Sequence, residues 1–345
     1  MRFGKQVTDS APSRILFLDA LRGFAIVMVV ATHAIAYAKV DKSLATFLSF
    51  LIQSVAVPPF FLADGFLFVR SLQKNRQFYF MDYWARSARR LLLPWMLFSV
   101  LYMVFRAGYE LVVNPNDLVV IGQTFGELLS VFYYSSISAQ LYFLPALFVL
   151  RSASFVTKYL VSLRPMYLIV VWVVYVAIWQ SWSTANDRYE SLDPVVNALW
   201  GMQYYLLGMI LSLYECKLIH KPFIFASLSF AVLVGAKVVA PAWAVFAQNA
   251  YVCCLFFVFL GLSGQARPFV SWGAYTMGIY LLHAPIIVKV VSLLSLAILP
   301  QSSVIRYLTI ASATFLISVT AVRILSRLSW WRFMLGEGEL LTQRR

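Results

Sequence analysis

The sequence predicts an all-α, polytopic integral membrane protein with about ten transmembrane helices and both termini cytoplasmic. Three observations carry this. Of the 345 residues, 61% are hydrophobic and only 12% charged, against about 45–50% and about 25% in soluble domains. The apolar residues recur in runs of about 20, enough to cross a hydrocarbon core of about 30 Å. The basic residues gather on one side of those runs. In lipid every backbone polar group must be bonded within the chain, so such runs are helices. The alternating segments of about ten residues that mark a transmembrane barrel are absent.

The net charge of +14 would on its own suggest a nucleic-acid binder. A chain this poor in polar residues cannot build a water-facing basic surface, so no nucleic-acid partner is expected. It is also far too apolar to be disordered.

Spans are expected at about 15–38, 45–69, 91–108, 141–159, 166–182, 195–214, 222–240, 246–264, 270–291 and 304–326. Arg14, Asp19 and Arg22 interrupt the first apolar stretch, which reads as a retained span rather than a cleaved signal peptide. Ten spans put both termini on one side. That side collects Arg2, Lys5, Arg14, Arg70, Lys74, Arg76, Arg86, Arg89, Arg90, Arg151, Lys158, Arg164, Lys217, Lys221, Arg267 and the tail arginines from Arg323 onward. The other side holds Lys39, Lys42, Arg106, Arg188, Lys237, Lys289 and Arg306. Basic residues stay cytoplasmic, which sets the orientation. The loops are short, so one domain over residues 1–345 is expected, with short cytoplasmic tails at about 1–14 and 327–345. Cys216, Cys253 and Cys254 show no C-x-x-C or His/Cys spacing; they read as buried thiols, and no metal is expected.

Ionisable residues at membrane depth are costly, by at least about 2.5–3.5 kcal/mol each, and are functional candidates by default. The first span holds Asp19, Arg22 and His33. Arg22 and His33 are eleven positions apart, about three full helical turns, so they project from one face with a rise of about 16 Å between them. Asp19 precedes Arg22 by three residues and shares that face. An interfacial Asp19–Arg22 ion pair would account for the first two but not for the deeper His33. His33 and His283 are two of only three histidines, and both fall in spans. The third, His220, sits in a cytoplasmic segment. Pro58 and Pro59 break the second span just before Asp64, which reads either as a lined cavity or as a simple kink. Arg86, Arg89 and Arg90 precede the third span. They serve either as a positive-inside anchor or as a phosphate grip, since guanidinium forks suit phosphate oxygens.

Several of these segments resemble, in order, the membrane acyltransferase-3 family. Leu18-Asp19-Ala20-Leu21-Arg22-Gly23, with His33 further along, is similar to its opening motif. Pro59-Phe60-Phe61 with Gly65-Phe66, the basic stretch Arg86/Arg89/Arg90, Gln140-Leu141-Tyr142-Phe143-Leu144, and Gly278-Ile279-Tyr280-Leu281-Leu282-His283-Ala284-Pro285 follow in family order. Asp64 stands where the family usually has Ser, and Tyr142 where it usually has Trp.

The resemblance implies an integral O-acyltransferase of the plasma (inner) membrane of a bacterium. It would move an acyl group, acetyl being the expected one, from cytoplasmic acetyl-CoA to a hydroxyl of a surface polysaccharide or lipid-linked sugar. In that reading His33, Arg22 and Asp19 are the catalytic set, with His33 either general base or acyl carrier. Arg86, Arg89 and Arg90 hold the CoA phosphates, and Asp64, Gln140 and His283 belong to the substrate cavity. Membrane lipid, acyl-CoA and a carbohydrate acceptor are the expected partners. The competing class is a proton-coupled transporter of a glycan or organic acid, with His33 and Asp64 as a relay; no internal repeat of the sort many transporters carry is visible.

Overall fold

The computed structural model describes residues 15–74, 78–112, 118–162, 164–186, 192–218, 220–239, 244–262, 265–299 and 304–334. Every regular element among them is helical. In chain order these are α1 (Leu16–Ala38), α2 (Lys42–Ala56), α3 (Pro58–Lys74), α4 (Phe80–Val112), α5 (Phe125–Tyr133), α6 (Phe143–Ser152), α7 (Ser154–Ser162) and α8 (Pro165–Asn186). They are followed by α9 (Pro194–Leu218), α10 (Pro222–Val239), α11 (Ala244–Leu262), α12 (Arg267–Gly273), α13 (Thr276–Leu282), α14 (Val288–Leu296), α15 (Val304–Leu325) and α16 (Ser329–Met334). A tight turn at Ala139–Tyr142 leads into α6, and a wide turn at His283–Ile287 joins α13 to α14.

Local chemistry explains where several helices begin. Pro58, Pro165, Pro194 and Pro222 each occupy the first helical position, where the missing N–H would have had no partner and the fixed φ is already helical. At α9 the Asp193 carboxylate also accepts from the N–H of Val195 at 2.7 Å and of Val196 at 3.1 Å, an N-cap. Thr124 and Glu127 form a reciprocal capping box on α5. The bond from the Thr124 N–H holds the Glu127 carboxyl below its ordinary range. The paired prolines of the second expected span open α3 directly after α2, near the middle of one apolar stretch, Lys42–Lys74.

Eight stretches among the described residues are long and apolar enough to cross a membrane. A ninth is the pair α6 and α7, bent by 53°, and Pro222–Gly235 is a shorter apolar helix. The third span differs from its sequence boundaries. It runs unbroken from Phe80, so Arg86, Arg89 and Arg90 lie on the helix itself rather than in a loop before it. The terminal tails, with Arg2, Lys5, Arg14, Arg344 and Arg345, lie outside the described residues, as do Arg76, Arg188 and the side chain of Cys216. Cys253 and Cys254 are partly buried free thiols.

The polarity is inverted relative to a water-soluble bundle. Val100, Val104 and Phe105 on α4, Met166, Val170 and Ile178 on α8, and Leu308 and Leu316 on α15 are exposed. Asp64, Gln140, Gln203, Asn249, His283 and Arg306 are buried. An apolar surface this extensive is stable only against lipid. Some interior polar groups bond across helices: Asn249 Nδ2 donates to Gln203 Oε1 at 2.7 Å, joining α11 to α9, as polar side chains do between membrane helices.

The helix α1 is the hub. The helices α2, α3, α11, α12, α13, α14 and α15 all pack on it. Two reciprocal glycine pairs set the closest approaches. A Cβ on Gly23 would lie under 3.0 Å from the Phe269 backbone, and one on Gly273 would meet the Asp19 backbone as closely, so α1 and α12 touch main chain to main chain. Gly65 against Tyr205 and Gly208 against Leu62 do the same for α3 and α9. With no hydrophobic gain available in lipid, such contact is how helices adhere. At the far end of α1, the fully buried Arg306 donates from Nε to Ser295 Oγ at 3.2 Å and from Nη2 to the Tyr37 carbonyl at 3.5 Å. This places a cation at the helix C-terminus, where the dipole favours it.

A buried ion pair ties α3 to α6. Arg151 Nε lies 3.1 and 3.0 Å from the two Asp64 oxygens, and Nη2 bonds Oδ1 as well. Arg151, counted with the cytoplasmic loops from sequence, is thus an interior residue.

Two predictions follow from this packing. Asp64→Ala lowers stability by about 3–5 kcal/mol by stranding the Arg151 charge, and adding Arg151→Leu recovers most of the loss. Thermal unfolding of the detergent-solubilised single and double variants checks this. In the same assay Gly65→Ala lowers the midpoint, at a cost of about 1–3 kcal/mol for overpacking. Gly235→Ala, where a Cβ meets nothing within 4 Å, leaves the midpoint unchanged or raises it through helix propensity.

Candidate active site

The site begins with a proline. Pro285 has no N–H, so the carbonyl of Leu281, four residues earlier, loses its helical partner. The residue before a proline is pushed to extended backbone, and Ala284 sits at φ −133, ψ 153. The helix breaks there, and its freed carbonyls need donors from elsewhere. The Tyr102 hydroxyl of α4 donates to the Leu281 carbonyl. Gln140 Nε2, at the entry to α6, donates to the Ala284 carbonyl at 2.6 Å. Two side chains from distant segments thus hold the break.

His283 lies at this break, completely buried. Its Nδ1 is 3.0 Å from the carbonyl of Ile279, one turn back on α13. Its Nε2 has no hydrogen-bond partner among the described residues. The ring of His33, on α1, faces it with centroids 5.0 Å apart and planes at 58°. Tyr280 stands on the other side, 6.2 Å from the His283 ring, and packs in turn on Phe143. The structure therefore brings together His33, His283 and Gln140, which are 250 residues apart in sequence at the extremes (residues 33 and 283).

The other sequence-predicted residues lie at a different level. Arg22 and Asp19 are half-buried on α1, with Arg22 about 16 Å along the axis from His33. Their level is the α1–α12 crossing, since the Asp19 backbone is what Gly273 touches. Arg86, Arg89 and Arg90 are exposed on α4, and the Arg89 guanidinium lies over the Phe333 ring at 5.5 Å. From Arg89 to Tyr102 the same helix rises about 20 Å. Two helices give matching rulers: the arginines of both lie well below the histidine pair, and both helices run towards it. Asp64 does not join this group. Its carboxylate is engaged by Arg151, between α3 and α6.

Two residues escaped the sequence reading. Arg151 was within reach of it: a lone arginine and a lone aspartate inside two apolar runs each need a counter-charge, and each is the other's nearest remedy. Tyr102 was detectable only as the need for some donor at Leu281, which Pro285 announces. Among the described residues no group of three or more His, Cys, Asp or Glu side chains converges as a metal would require.

The chain was also compared with known proteins. The acyltransferase-3 family model, described as an acyltransferase domain, matches residues 15–323. Neither the search of curated proteins nor that of solved structures returned a match. The match runs from the start of α1 into the last turns of α15 and takes in the whole histidine-bearing core; the chain belongs to the acyltransferase-3 family and is a membrane acyltransferase.

Proposed function

We propose that the protein is an O-acyltransferase of a bacterial inner membrane, with both termini cytoplasmic. It transfers an acyl group, acetyl by preference, from cytoplasmic acyl-CoA to a hydroxyl of a surface polysaccharide or lipid-linked sugar. The observation that carries this reading is the face of α1 that presents Arg22 and His33 about 16 Å apart, on the helix against which seven others pack.

The division of labour follows from the two levels. The thioester supplies an activated acyl group. Arg86, Arg89 and Arg90, exposed on α4, grip its phosphates from the cytoplasmic face, and guanidinium groups suit that geometry. Arg22, kept in place beside Asp19, steadies negative charge on the donor arm as it enters the bundle. His33 acts as general base. It takes the acceptor hydroxyl's proton as that oxygen bonds the acyl carbon and the C–S bond breaks, then returns the proton to the leaving sulfur. The balance is alcohol plus thioester to ester plus thiol. Gln140 and His283 belong to the wall of this upper site, where the acceptor hydroxyl arrives.

The test is transfer of labelled acyl group from acyl-CoA to glycan, with free CoA counted, in liposomes carrying the purified protein. His33→Ala lowers kcat by roughly 100- to 10,000-fold, and Arg22→Ala lowers activity without loss of folded protein. Retention of wild-type transfer by both variants would sink the assignment. In the same assay Arg89→Ala raises KM for acyl-CoA about tenfold or more, the worth of one charge-assisted bond, and leaves kcat near its parent value. Uptake of a glycan into the liposomes with no CoA released would instead establish a transporter.

A further inference from the structure

We propose that His283 is a positioning residue for His33: its Nε2 lone pair accepts the ring N–H of His33 and so decides which His33 nitrogen is open to the acceptor hydroxyl. This rests on the reading of His33 as general base given above.

The argument starts from the tautomer. A carbonyl oxygen can only accept, so the 3.0 Å contact between His283 Nδ1 and the Ile279 carbonyl requires the hydrogen on Nδ1. In the neutral ring the other nitrogen then carries a lone pair and no hydrogen. That nitrogen, Nε2, belongs to a fully buried residue and has no hydrogen-bond partner among the described residues. Buried acceptors are nearly always satisfied, so an orphan of this kind demands an explanation. The His33 ring, with its centroid 5.0 Å from that of His283, is the polar group placed to supply one. A small ring rotation of His33 completes an N–H···N bond of about 2.9–3.0 Å.

The surroundings make His283 a fixed reference rather than a mobile one. Its helix is broken immediately after it, and the break is held by Tyr102 on the Leu281 carbonyl and Gln140 on the Ala284 carbonyl. His33 is half-buried on α1 and is the ring that can turn. With one of its nitrogens donating to His283, the other carries the lone pair and faces the acceptor. The arrangement is that of a base oriented by a second group, as in hydrolase triads, except that the orienting group is an imidazole. During transfer the hydroxyl proton lands on the open His33 nitrogen while the His33–His283 bond keeps the ring in place. The proton leaves from the same nitrogen to the departing sulfur, and His283 undergoes no net change.

The experiment uses the full chain in liposomes with the acyl-transfer assay and the variants His283→Leu and His283→Gln. Leucine removes the acceptor, whereas the glutamine Oε1 can replace it. His283→Leu is expected to lower kcat by roughly 100- to 10,000-fold, the range seen when an orienting group is disabled, with KM for acyl-CoA unchanged within about twofold. His283→Gln is expected to recover most of that loss, and the double variant His33→Ala with His283→Leu to be no worse than His33→Ala alone. Wild-type kcat in His283→Leu while His33→Ala is inactive would overturn this proposal and leave the general-base reading standing. Wild-type kcat in His33→Ala would overturn that reading instead. Should His283→Leu not fold, nitrogen-15 NMR of histidine-labelled wild-type protein reads the arrangement directly. An Nδ1–H tautomer of His283 with a hydrogen-bonded Nε2 supports the proposal, and an Nε2–H tautomer overturns it.

Discussion

A membrane helix that breaks must hand its carbonyls to the protein, because no water is there to take them. At the end of α13 this requirement organises the site. Pro285 frees the Leu281 carbonyl, the extended Ala284 turns its own carbonyl aside, and Tyr102 and Gln140 are drawn in from α4 and from the entry to α6. Each side chain bonds within the break and also fixes its parent element relative to α13. His283 is delivered against His33 as a consequence of this arrangement. An unbroken helix through the same residues would need neither donor, and those two hydrogen-bonded ties from α4 and the entry to α6 would be lost.

The second organising feature is the centrality of α1. A helix carrying Asp19, Arg22 and His33 cannot face lipid without large cost, and α1 does not: seven helices pack on it. Gly23 and Gly273 let α12 reach its main chain at the level of Asp19, while Arg306 and Ser292 bond its last turn through the Tyr37 carbonyl. The helix is thus held at both ends, which keeps the vertical offset between its arginine and its histidine constant.

The charges at membrane depth separate into two kinds once partners are known. Asp64 and Arg151 neutralise each other in a bidentate pair between α3 and α6, a structural device whose worth lies in register. The histidines are different. Among the described residues neither is paired by an acid, and one of them presents a buried nitrogen with no partner there.

The sequence alone determined whatever depends on near neighbours along the chain. Apolar run length dictated helices, prolines marked where α3, α8, α9 and α10 begin, and the helical period aligned Arg22 with His33. The dipeptide Ala284-Pro285, inside the span expected at 270–291, carries a break and an unserved carbonyl. Each of these follows from bonds and sterics within about one helical turn. The tertiary structure decided which partner answered each demand, Arg151 for Asp64, Tyr102 for Leu281 and Gln140 for Ala284, and it set the His33 ring beside His283. Those choices join residues 87 to 250 positions apart, and a local pattern holds no information about which helix faces which. Asp64 shows the difference: its spacing is visible in the sequence, but the guanidinium that closes on it comes from another helix, placed there by how α3 and α6 pack.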